Sequence, residues 1–132
     1  MTQKNVEIMD VIVDKMAGGM SLAKALGLVY SKRRVCIPCK DEYYAAFLMD
    51  VKMPRRPINS LLRAKMRKIG DVIEFCKEKK ITDIPGIGID SGIEVFESIL
   101  NYCWDHMSND ERTDFLIDTV ERNRDYVRAD VV

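Results

Sequence analysis

Apolar residues recur every three to four positions along most of this chain, and glycine, proline and capping residues cut the pattern into segments. That spacing is one face of an α-helix, so an all-α fold with six or seven helices is expected. Val6, Met9, Ile12, Val13 and Met16 predict a helix over residues 4–17, stopped by Gly18 and Gly19. Ser21 caps a second helix that Gly27 ends, and Leu28-Val29-Tyr30 forms an apolar turn. Ser31 caps a third helix, which Pro38 ends or kinks. Residues 40–53 read as another helix with Tyr43 or Tyr44, Phe47, Leu48 and Val51 on one side.

Pro54 and Pro57 bracket Arg55 and Arg56, which reads as an extended basic linker. The longest helix is expected over 58–80, on a stripe of Ile58, Leu61, Leu62, Met66, Ile69, Ile73 and Cys76. Gly70 interrupts that stripe at a cost of about 1 kcal/mol. Residues 81–90 form a short buried loop or strand; their Gly-Ile-Gly lacks what a phosphate loop needs. Ser91 caps a helix to Met107. Ser108 and Glu111 form a capping box that starts a last helix to about Arg128, beyond which the tail frays. The expected layout is a helix-turn-helix unit over 1–53, a linker over 54–57, and a longer helix plus a C-terminal helical pair over 58–132.

The net charge of zero hides an asymmetry. Residues 1–80 carry 17 Lys and Arg against 9 Asp and Glu, whereas residues 81–132 carry 4 against 12. A basic half suits a polyanion, because each cation that neutralises a phosphate releases counterions. The acidic half should face away from such a partner or meet another protein, or the two halves attract each other, within one chain or head to tail between copies. No apolar run approaches the roughly 18 residues of a membrane span. Glu7, Asp10 and Asp14 interrupt the apolar part of the N-terminus, so no signal peptide is expected there. The location expected is cytoplasmic, the host cytoplasm if the protein is viral, with Cys36, Cys39, Cys76 and Cys103 reduced.

Residues 18–53 have the pattern of a helix-turn-helix, whose second helix enters the DNA major groove. Ala23 sits where two helices cross closely, Leu22, Leu26 and Leu28 are the expected anchors, and Val35 is the buried residue of the recognition helix. Lys32, Arg33 and Arg34 then face outward, where they suit guanine edges or phosphate oxygens.

The order of features resembles the N-terminal domain of phage terminase small subunits and related phage helix-turn-helix proteins. Gly19-Met20-Ser21-Leu22 with Ala25, then Ser31 to Val35, then Asp41-Glu42-Tyr43-Tyr44-Ala45-Ala46-Phe47 carry the resemblance, over about residues 8–53. Where that family often has an aromatic near the end of the recognition helix, Ile37-Pro38 stands here. The resemblance implies recognition of double-stranded DNA through Lys32, Arg33 and Arg34, and assembly into a homo-oligomer.

A second basic cluster adds to this reading: Lys52, Arg55, Arg56, Arg63, Lys65, Arg67 and Lys68. With Lys40, the DNA-facing set expected is Lys32, Arg33, Arg34, Lys40, Arg55, Arg56, Arg63, Arg67 and Lys68. Cys36-x-x-Cys39 and Cys103-x-x-His106 have metal-ligand spacing, but free cysteine on an apolar stripe behaves as a small hydrophobe, and neither a metal nor a cofactor is expected. A single histidine and no placed nucleophile give catalysis no footing, so no enzyme is expected. The function expected is DNA recognition for packaging or transcriptional control. The alternative is a non-enzymatic helical adaptor or inhibitor that binds a host protein through the acidic C-terminal helices.

Overall fold

The computed structural model describes residues 2–31 and 40–131. Among these the chain is all-α: seven α-helices, short 3-10 turns and no β-strand. The helices are α1 (Gln3–Ala17), α2 (Leu22–Val29), α3 (Asp41–Tyr44), α4 (Arg55–Arg63), α5 (Ile69–Glu78), α6 (Ile89–His106) and α7 (Asn109–Arg122). None is long and apolar enough to cross a membrane. The chain divides into two compact units, one built from residues 1–37 and 104–132, the other from residues 38–103.

In the first unit α1 packs on both α2 and α7. Thr2 caps α1 by accepting from the Asn5 N–H, and Ile8 and Ile12 are its fully buried face. The helix ends in a Schellman motif: Met20 N–H donates to Lys15 O and Gly19 N–H to Met16 O, with Gly19 at φ 105°. Ser21 caps α2 as expected. Gly27 does not end it, however. The helix continues to Val29 and the Tyr30 N–H still donates to Leu26 O, because Val29 and Tyr30 are buried beyond the glycine. Leu22, Ala23, Ala25 and Leu26 are buried, whereas Leu28, expected as an anchor, points to solvent.

The last helix starts at the expected capping box, Ser108 with Glu111. It stops at Asn123 rather than Arg128: the buried Asn123 amide donates to Thr119 O and closes the last turn on itself. The following residues do not simply fray. Ser31 N–H donates to Tyr126 O and Arg128 N–H to Val29 O, flanking an isolated antiparallel bridge between Tyr30 and Val127. Trp104 meets Phe115 edge-to-face at 6.1 Å, and the Arg112 guanidinium lies 4.8 Å from the indole centre.

The second unit departs most from the sequence expectation. Residues 40–53 are not one helix. Only Asp41–Tyr44 are α-helical, followed by a 3-10 turn over Leu48–Asp50. Between them the backbone leaves the helix to pair with a distant segment: Leu48 N–H donates to Arg67 O and Ile69 N–H to Ala46 O, around a bridge between Phe47 and Lys68.

Pro54 to Pro57 are not an extended linker. Pro54 is the N-cap of α4, and Arg55, Arg56 and Pro57 form its first turn, where proline's missing N–H costs nothing. Nor is 58–80 a single helix. It breaks at a second Schellman motif, with Met66 N–H on Leu61 O, Lys65 N–H on Leu62 O, and Lys65 left-handed at φ 65°. Leu61 and Met66, both buried, form the apolar contact of that motif. The chain then re-enters a helix because the Asp71 carboxylate accepts from the Arg67 and Lys68 N–H groups.

Gly70 sits inside α5 directly beneath the Tyr44 ring, so a Cβ there would lie 2.3 Å from Tyr44 Cδ1. Tyr44 in turn donates its hydroxyl to Glu74, whose carboxyl is held below its ordinary value by hydrogen bonds from Lys77 and Tyr44. Residues 81–88 form no strand: a 3-10 turn over Ile81–Asp83 leads into a loop in which Ile84 and Ile87 are buried. The next helix begins at Ile89, so Ser91 lies inside it rather than capping it.

Candidate nucleic-acid interface

From Val51 to Gly70 the chain carries seven Lys and Arg and no acidic residue. All seven belong to the second unit. Its turns and helix ends determine where they point. Arg55 and Arg56 occupy the first turn of α4, which no side chain caps. Two cations beside the positive end of a helix dipole repel it, and an anion arriving there relieves both. Arg63 is in the last turn and donates to the Ser60 hydroxyl at 3.3 Å. Arg67 and Lys68 follow the Lys65 turn, with their backbone held by Asp71 but their side chains in solvent.

Arg55, Arg56, Arg63, Arg67 and Lys68 are all exposed, and among the described residues no carboxylate pairs with their side chains. Their side chains therefore make no direct ion pair among the described residues. Lys40, at the N-cap of α3, is exposed as well. Lys32, Arg33, Arg34 and Val35 lie outside the described residues, as do Cys36 and Cys39. In the first unit the structure describes α1 and α2, while the segment expected to be the recognition helix lies outside the described residues.

Two residues that sequence reasoning did not place at the surface stand beside the cations. Phe47, expected on a buried helix face, is 53% exposed, and Lys68 Nζ lies 5.7 Å from its ring centre. Met49 is 69% exposed. With Leu48, Val51, Met53, Ile58 and Leu62 it lines a groove of about 300 Å³ that Arg55 and Asn59 also border. The signal that would have found them is the bridge to residues 67–69, and that pairing has no local mark in the sequence.

The metal question is narrower. Among the described residues no group of three or more His, Cys, Asp or Glu gathers. Cys103 is buried in α6 and His106 is exposed on the same helix. Burial pushes the Cys76 thiol up, which favours the neutral form over a metal-binding thiolate. Compared with protein-family models, curated proteins and solved structures, the chain matches none.

Proposed function

We propose that this chain binds DNA, with the phosphate backbone held by Arg55, Arg56, Arg63, Arg67 and Lys68. The observation that carries this reading is the acid-free run from Val51 to Gly70, whose cations are exposed and unpaired among the described residues. Burying such charges against protein would be costly without carboxylates to meet them, whereas phosphates neutralise them one by one. The resemblance of residues 8–53 to terminase small subunits and related phage proteins supports DNA as the polyanion, and Lys32, Arg33 and Arg34 as further contacts. Packaging and transcriptional control fit equally.

The test is fluorescence anisotropy of a labelled duplex over a series of salt concentrations. Log affinity should fall linearly with log salt, and Arg55→Ala/Arg56→Ala or Arg67→Ala/Lys68→Ala should each make the slope shallower by about 2. No binding at low salt, or binding indifferent to salt, overturns the reading.

A second reading rests on a different observation. At the start of α6, Ile89 is 75% and Ile93 46% exposed, one helical turn apart and beside Asp90 and Glu94. An acidic, apolar helix face of this kind suits a protein partner, as a helical adaptor or inhibitor would need. Ile93→Asp would abolish such an interaction and leave DNA binding intact.

A further inference from the structure

Phe47 is placed by backbone, not by a flexible loop. The hydrogen bonds from Leu48 N–H to Arg67 O at 2.7 Å and from Ile69 N–H to Ala46 O at 3.0 Å fix its position on both sides. The residue is nonetheless 53% exposed, with Lys68 Nζ 5.7 Å from the ring centre. Two residues on, Met49 is 69% exposed, and the groove it lines is bordered by Arg55. The result is a pair of exposed apolar side chains, Phe47 and Met49, on either side of the buried Leu48, with Lys68 beside Phe47 and Arg55 lining the same groove as Met49.

A duplex cannot use these side chains well. Its bases are stacked on one another and offer only their edges, so a side chain standing at the surface meets sugar and phosphate. An unpaired nucleotide offers what these side chains lack: a flat π-face for the ring, and a phosphate on the same residue for the neighbouring cations. Base–aromatic stacking beside a cationic track is how single strands are held without sequence preference. A cation already seated near the ring face adds to this, because Lys68 can meet the phosphate of the nucleotide whose base covers Phe47.

We infer that Phe47 is a stacking platform for an unpaired base, so that this site takes single-stranded DNA, or a locally opened duplex, in preference to paired DNA. The inference rests on the phosphate-binding reading above. It adds the strand form that the site selects.

The experiment is anisotropy with a labelled oligothymidylate and with a duplex of matched length, for wild type, Phe47→Ala and Phe47→Trp. Because the residue is half exposed, Phe47→Ala should fold, and far-UV circular dichroism checks this. Wild type should bind the single strand more tightly than the duplex. Phe47→Ala should lose roughly tenfold in affinity for the single strand, with an unchanged salt slope and little change on the duplex. Phe47→Trp should keep the affinity, and the fluorescence it adds over wild type should be quenched by oligothymidylate.

Suppose Phe47→Ala binds like wild type, or the added indole is not quenched, while salt-dependent binding persists. The stacking platform is then wrong and the phosphate reading stands. If wild type binds neither strand form at low salt, the phosphate reading fails and the platform falls with it.

Discussion

Tyr30 offers the sharpest test of the first unit. It is 2% exposed, and among the described residues its hydroxyl has no hydrogen-bond partner. Burial alone pushes its pKa from 10.0 up to about 12. Below pH 10 the phenol is neutral in the folded and unfolded states alike, and contributes no pH dependence. Between 10 and 12 the unfolded chain releases the proton while the folded chain keeps it, so the native state binds more protons and stability falls as pH rises.

At about pH 11 the loss from this one group is about 1.4 kcal/mol, and by about pH 12 it reaches about 2.3 kcal/mol. Tyr30→Phe removes the ionisation and the unmatched hydroxyl together. At neutral pH it should stabilise by about 1 kcal/mol, since a buried polar group without a partner is a penalty. Urea unfolding followed by circular dichroism, on both proteins at about pH 7, 10 and 11, isolates the effect. The two proteins differ only at position 30, so the difference between them reports that position. Either a variant less stable than wild type at neutral pH, or a gap that does not widen with pH, would refute the argument.

Two further substitutions probe the second unit. Lys65→Gly should stabilise by about 0.5–1 kcal/mol in urea unfolding, because the left-handed backbone costs lysine more than glycine's extra freedom costs the unfolded chain. Gly70→Ala should destabilise by about 1–3 kcal/mol, since its methyl would meet the Tyr44 ring at 2.3 Å and the Tyr44 carbonyl oxygen at 2.9 Å; a variant as stable as wild type would mean that Tyr44 packs elsewhere.

What could be read from the sequence was whatever is decided within a turn or two of chain. The first helix, its glycine stop, the Ser21 cap, the Ser108–Glu111 box and the helical pair at the end all have local causes. The misread segments share a different cause. Residues 40–53 look helical by periodicity, yet backbone pairing with Arg67 and Ile69 breaks them, and that partner lies some twenty residues away. The break at Lys65 carries no glycine to announce it, because a lysine bears the left-handed strain. Prolines 54 and 57 suggested an extended arm, but proline in a first turn starts a helix as readily as it ends one.

The candidate site divides the same way. Its cations were visible as composition, and their exposure follows from their charge. Phe47 and Met49 were hidden, since only the long-range pairing turns the ring outward.

The first unit is made from both ends of the chain, with residues 38–103 as a unit between them. Joining Ser31 to Tyr126 spans 95 positions. During synthesis the middle unit emerges whole while its neighbour still lacks α7, so the middle unit can fold first. Once it is compact, the ends no longer search the volume of a free chain that long, and the closure entropy falls. Destabilising the middle unit should therefore slow acquisition of the first, even where no residue of the first has been changed.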